Sequence, residues 1–428
     1  MRTSCGVSHN PTPQPTNIKH INKQYINIST GNISTKTMTY DFDQIISRRN
    51  TDCVKHDGLD HFFQRDDLLP MWVADMDFPS PDCVIDAIRA RLDHPVLGYH
   101  WPSQSYFDAV IDWLHRRYAI SAAAEELHFI PGIVAGISFV IQAFTAPGDG
   151  VLVTTPVYPP FLNIPSSSGR RLVKCPLTIK DGRFAIDFDS FEQCAKESRL
   201  LILSNPHNPG GTVWAPDDLC RIADICSRHG LLVISDEIHA DLTLPPHRHT
   251  SFPTVSSTAA DISIMFMAPS KTFNIAGLSS SVSYTHNPDL CARFHAYLDN
   301  YGVAGGNIFA FVGAEAAFRH GEEWLDQLLQ YLKDNAAYTR QFLASNMPRV
   351  KTVIPEASFL VWLDFSDYGF SHEESLRRVQ DIARLALNDG TSFGGDTYRN
   401  CFRLNIGCPR ATLSHALTNL KNAFDSEN

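Results

Sequence analysis

Four short apolar runs, Val151–Thr155, Leu200–Ser204, Leu231–Ser235 and Ile262–Met267, recur along the middle of the chain, each followed by turn-forming or polar residues. They are short for core helices and rich in Val, Ile and Leu, as strands covered on both faces must be. A helical pattern over Asp217–Arg228, after Pro216, separates the second run from the third. Another precedes them all, with Phe107, Val110, Ile111 and Leu114 at helical spacing. Strands that alternate with helices predict an α/β fold with a mainly parallel central sheet covered by helices. Reactive groups in such sheets collect at the carboxyl ends of the strands. Here those ends carry Pro156–Tyr158, Asn205–Asn208, Asp236–His239 and Ser270–Lys271.

After about residue 322 the pattern changes to a long helix through Trp324, Leu328 and Leu332, a strand over Ser358–Asp364, and a last helix with Leu413, Leu417, Leu420 and Phe424. This predicts a smaller α+β domain, residues 38–79 with 323–428, beside a large domain of residues 80–322. The 428 residues, 43% hydrophobic, suffice for two such lobes. Residues 1–37 are dominated by Asn, Thr, Ser, Pro and Ile without periodicity, and no apolar stretch follows the initial Met–Arg. They are expected to be a disordered extension and not a secretory signal, with Met38 as a second candidate start.

The net charge of −10 argues against nucleic acid as a partner. The longest apolar run, around Ile133–Phe144, is interrupted by Gly136, Ser138 and Gln142. It falls short of the roughly 20 residues a membrane-spanning helix needs. Ten cysteines without a CxxC pair indicate neither a disulfide framework nor a zinc site, and reduced thiols point to the cytoplasm. His247, Arg248 and His249 lack a cysteine or carboxylate at ligand spacing, so a solvated loop and no metal are expected.

The stretch APSKTFN (268–274) sets Lys271 just after an apolar run. Burial lowers an amine's pKa, and a neutral amine forms a Schiff base with a carbonyl. Pyridoxal phosphate, the aldehyde cofactor that uses such a lysine, makes further demands. Its ring nitrogen wants a carboxylate, for which Asp236 in VISDEIHAD stands at a strand end. Its phosphate wants an anion cradle, which the Ile133 and Val134 amides after Gly132 offer at a helix N-terminus. Its ring wants a stacking face, such as Tyr158 in TTPVYPP, and its ring oxygen a donor, such as Asn208 in SNPHNPGG. Taken singly, each has an ordinary reading: a helix cap for Asp236, a plain turn for Gly132, a core ring for Tyr158, an Asx turn for Asn208.

The motifs SNPHNPGG, SDEIHAD and SKTFNIAG, in this order and spacing, resemble the fold-type I pyridoxal phosphate enzymes of the aminotransferase class I/II superfamily. MWVADMDF (71–78), GYHWP (98–102) and FRLNIGCPR (402–410) are similar to the MalY/PatB group of cystathionine β-lyases within it. The resemblance spans about residues 40 to 424. It implies pyridoxal 5′-phosphate held by Lys271 as a Schiff base, with Ser270 a phosphate ligand, Asp236 on the ring nitrogen, Asn208 and His239 toward the ring oxygen, and Tyr158 stacked. It implies that Tyr99 reaches the cofactor of a neighbouring subunit, hence a homodimer, and that Arg403 and Asp75 serve the substrate. The implied reaction is α,β-elimination of L-cystathionine or a related cysteine thioether to a thiol, pyruvate and ammonia, a step of methionine biosynthesis. His239 stands where many aminotransferases carry tyrosine, and Ser279 where a phosphate-binding Arg or Lys is common, which leaves phosphate charge less fully balanced. An aminotransferase of the same fold is the alternative. A non-catalytic regulator with a protein partner is a third reading, against which the intact set Lys271, Asp236, Tyr158 and Arg403 speaks.

Overall fold

A computed structural model describes residues 39–303 and 305–425, so the expectation for residues 1–37 lies outside the described residues. Seven strands form the main sheet: β1 (Leu127–Ile130), β2 (Gly150–Thr155), β3 (Arg171–Pro176), β4 (Leu200–Ser204), β5 (Leu232–Asp236), β6 (Ser263–Met267) and β7 (Ser281–Tyr284). Their order is β1-β7-β6-β5-β4-β2-β3. The five strands from β6 to β3 run parallel, while β7 is antiparallel to both its neighbours. The expected mainly parallel sheet is therefore present, with an antiparallel edge.

Alternation accounts for the unbroken apolar runs. Leu200 and Ile202 of β4 enter one core cluster, whereas Leu201 and Leu203 enter another on the opposite face. With helices on both faces, every side chain of such a strand is buried, and each large aliphatic one contributes roughly 1.5–3 kcal/mol. The helix Ile133–Phe144 lies on one face, where Gly136 permits close approach. A Cβ there would come within 2.7 Å of the Phe266 ring.

A second, four-stranded sheet comprises β8 (Lys351–Val353), β9 (Leu360–Asp364), β10 (Asn388–Asp389) and β11 (Cys401–Asn405), in the order β8-β9-β11-β10. The long helix Glu322–Asn346 and the last helix, Arg410–Asp425, are where the periodicity put them. The strand expected from Ser358 starts only at Leu360, because Ser358 takes a left-handed φ of +76° that no strand accommodates. Conversely, the strand expected to end at Ser235 extends one residue, since Asp236 pairs with Ser204 and Phe266 on its two neighbours. These elements all belong to one compact unit, Tyr40–Asn428. Among the described residues no helix is long and apolar enough to cross a membrane.

Candidate active site

Parallel register brings Ser204, Asp236 and Phe266 side by side at the carboxyl ends of β4, β5 and β6. The chain then leaves each strand into a cavity of about 470 Å³, a size suited to one small ligand. Ile133, Val134, Tyr158, Asn208, Asp236, His239, Ser270 and Lys271 all line it. Eight of the predicted residues, drawn from segments far apart in sequence, therefore meet in one place.

Lys271 lies in the single helical turn Pro269–Thr272 that follows β6. Its Nζ donates to the Ala74 carbonyl at 2.5 Å. Burial pulls its pKa down to about 8, against the pull of Asp75 and Asp236 and helped by Arg403. Burial pushes Asp236 up to about 7, opposed by a hydrogen bond from the Ile238 amide. A cation set opposite that carboxyl would favour its ionised form. His239 is brought down to about 3 by burial and by the nearby Lys271 and Arg403 cations, and its Nδ1 has no partner.

Arg403 sits on β11 with Asn388 directly opposite on β10. It donates to Asn208 Oδ1 at 3.1 Å, to the Trp72 carbonyl at 2.9 Å and to Asn388 Oδ1 at 2.6 Å, while its Nε has no partner. The first of these bonds fixes the Asn208 amide, leaving its NH₂ for the cavity. Arg403 does not itself line the cavity, but it is bonded to Asn208, which does. Burial lowers its pKa to about 10, so it remains charged at neutral pH.

Gly132 holds φ at +101° just before the helix Ile133–Phe144, and no side chain caps that helix. The space where a Cβ would project is open. Free first-turn amides beside open space are what a phosphate dianion requires. Ser279, Ser280 and Ser281 line the same cavity, beside the turn at Gly132, since Ser281 pairs with Ile130. Free first-turn amides, a buried amine and a buried carboxyl around one cavity together fit a flat phosphorylated aldehyde.

Besides Arg403, two predicted residues lie off the cavity wall. Tyr99 is fully exposed and does not line the cavity. Asp75 is also absent from its wall, because Arg48 grips its carboxylate through two bonds of 2.9 and 2.6 Å. The loop expected at His247–His249 is solvated only in part. His247 and Arg248 are exposed, but the His249 side chain is 3% exposed and its Nε2 lies 2.8 Å from Glu237 Oε2. Glu237, buried behind Asp236, drew the imidazole in. Among the described residues no group of three His, Cys, Asp or Glu is arranged to hold a metal ion. The sequence reading missed Ala74, Asn388 and Ser280. A backbone carbonyl carries no residue signal, and Asn388 becomes visible only through strand pairing.

A buried lysine–aspartate pair at the strand ends of a doubly covered α/β sheet, with an anion cradle in the same cavity, defines the fold-type I class of pyridoxal phosphate sites. Comparison with known proteins agrees. The model of the family described as aminotransferase class I and II matches residues 67–420. Cystathionine β-lyase PatB of Bacillus subtilis is 43% identical over 387 residues, covering 90% of this chain and 99% of that protein. Among solved structures, cystalysin from Treponema denticola, which contains pyridoxal 5′-phosphate, aligns with a TM-score of 0.86 at 32% identity over 90% of this chain and 99% of that one. The pyridoxal phosphate-bound C–S lyase of Staphylococcus hominis aligns with a TM-score of 0.84 at 32% identity, over 91% and 99%. The chain belongs to the aminotransferase class I and II family.

Proposed function

We propose that this protein is a pyridoxal 5′-phosphate-dependent carbon–sulfur β-lyase, cleaving L-cystathionine or related cysteine thioethers. The observation that carries the reading is the convergence of Lys271, Asp236 and Asn208 on one cavity in a chain 43% identical to a cystathionine β-lyase. When bound, the cofactor supplies an aldehyde that captures the substrate amine and a ring that accepts the electrons left at Cα. Lys271 holds the cofactor at rest and, once released, takes the Cα proton on Nζ. A pKa of about 8 leaves an appreciable neutral fraction near physiological pH for that task. With the cofactor bound, Asp236 would keep a proton on the ring nitrogen, Asn208 and His239 would serve the ring oxygen, and Tyr158 would offer a stacking face. Ser270 and the amides of Ile133 and Val134 hold the phosphate. Arg403 orients the substrate carboxylate through its planar fork.

The electron pair left at Cα forms the Cα=Cβ bond as the Cβ–S bond breaks with its own pair on sulfur, which takes up a proton to become the thiol. The 2-aminoacrylate that departs reacts with one water to give pyruvate and ammonia. With cystathionine the thiol is homocysteine, a precursor of methionine. The large domain (80–322) holds the cofactor and the small one (38–79 with 323–428) supplies Arg403. The enzyme works in the cytoplasm as a homodimer in which Tyr99 reaches the partner's cofactor. The exposed apolar side chains of Val96, Leu97, Tyr99 and Trp101 support that assembly.

Incubation with L-cystathionine and no keto acid tests the reaction. Pyruvate and free thiol are expected in equal amounts. Rapid amino transfer to an added keto acid, with neither product formed, overturns the lyase reading in favour of an aminotransferase.

A further inference from the structure

The loop Trp72–Asp77 carries an alternating set of backbone bonds. The carbonyls of Val73 and Asp75 both accept from one side-chain amide, Asn405 Nδ2, at 2.6 and 2.7 Å. Those of Trp72 and Ala74 face the other way and accept from the two buried cations of the site, Arg403 at 2.9 Å and Lys271 at 2.5 Å. A single short loop therefore spans the amine and the guanidinium. The acidic side chains of that loop are tied down behind it. Arg48 bridges Asp75 at 2.6 Å and Asp77 at 2.7 Å, and the wholly buried Lys55 meets Asp77 at 2.7 Å and Asp75 at 3.8 Å. Asn274 adds bonds to the Met76 amide and carbonyl and to the Phe78 carbonyl.

Two cations against two carboxylates balance in charge while the His56 imidazole, 3.5 Å from Asp77, is neutral, so the cluster does little to the site by net field. Nor is its stability value large, because desolvating a buried ion pair offsets most of its Coulombic gain. What such a cluster provides is geometry: four charged groups with fixed donors permit one loop position. We infer that the Arg48–Asp75–Asp77–Lys55 cluster is a positioning device for the reaction, setting the Trp72 and Ala74 carbonyls so that the Lys271 amine and the Arg403 guanidinium keep one separation. While Lys271 is released during a turnover, the Ala74 carbonyl receives the freed amine, occupies one of its hydrogens, and directs its lone pair away from the loop. Asp75 is thus a positioning residue and not a substrate ligand. The inference rests on the lyase reading for the roles of Lys271 and Arg403.

Arg48→Ala is the direct test, since this side chain is a quarter exposed and its loss leaves Lys55 paired with Asp77. Cofactor-free protein is mixed with pyridoxal 5′-phosphate across a pH series, and capture is followed by absorbance. Only neutral Lys271 attacks the aldehyde, so the rate midpoint reads its protonation. The charged and titratable groups facing Lys271 are Asp75 from the loop, Asp236 and His239 from the end of β5, and Arg403 from β11. With Asp75 no longer countered and the loop loosened, the midpoint rises by about one pH unit. In the loaded enzyme, kcat per bound cofactor falls by about tenfold to a hundredfold as the reacting groups lose alignment. Arg48→Lys, which keeps the charge but cannot span both carboxylates, shifts the midpoint in the same sense by less and recovers part of kcat. It also decides the question if Arg48→Ala does not fold. A folded variant with unchanged midpoint and kcat overturns the inference while leaving the lyase reading intact. Failure of the unaltered protein to capture the cofactor at any pH overturns that reading instead.

Discussion

Lys271 shows how much a residue owes to its surroundings. On a surface it would hold its proton to pH 10 and beyond; buried beside the Ala74 carbonyl it titrates near 8. Asp236 is moved in the opposite direction by the same burial, so the two ordinary values are drawn toward each other at the point where a proton must be held and passed. Arg403 is the residue with the most demanding geometry, because three acceptors already orient its guanidinium. Arg403→Lys keeps a charge but loses the fork. Its kcat/KM for L-cystathionine is expected to fall about a hundredfold, mostly through KM, while the absorbance of the bound cofactor stays unchanged. Steady-state kinetics beside the absorption spectrum check this, and an unaltered KM would remove Arg403 from the substrate's carboxylate.

Among the elements, the helix Ile133–Phe144 and the turn before it carry the clearest burden. Gly132 at φ +101° and ψ 140° occupies a region that residues with a Cβ enter only with strain of about 1–3 kcal/mol. Nothing lies where its Cβ would project, so Gly132→Ala acts through backbone conformation and not through a clash. The variant is expected to keep its secondary structure but to bind pyridoxal 5′-phosphate about tenfold or more weakly, because a relaxed turn aims the first amides elsewhere. Titration of cofactor-free protein measures this; equal affinity would separate the turn from phosphate binding. Element boundaries were legible to within a residue or two where an apolar run met a polar end, as at β4. The strands β1, β3 and β7, whose residues carry mixed patterns on the outer part of the sheet, were not legible at all, because only tertiary pairing decides them.

For the whole molecule, the segment around Tyr99 and Trp101 is the notable exposed surface. Trp101 is 75% exposed and Tyr99 wholly so, an unusual outlay of aromatic area for a free surface. Sedimentation at micromolar concentration is expected to give a dimer. A Trp101→Glu, Tyr99→Ala pair of substitutions is expected to shift it toward monomer and to weaken cofactor binding at the same time. A stable dimer with full cofactor affinity in that variant would place the interface elsewhere.

The residue types and their order determined on their own that the chain forms a doubly covered parallel sheet with polar groups at its strand ends. Periodicity is a local property, and a buried strand must be apolar on both faces wherever it lies. The candidates Lys271, Asp236, Asn208 and Tyr158 were legible for the same reason, each standing just past an apolar run. Distance was not legible. Only the folded chain decides that Asn388 stands opposite Arg403, that Glu237 draws in His249, and that Asp75 turns away to Arg48. Such contacts join residues far apart in the chain and depend on strand register and loop path, which no local pattern encodes. APSKTFN shows that a lysine follows a strand; the fold alone supplies the carbonyl that holds it.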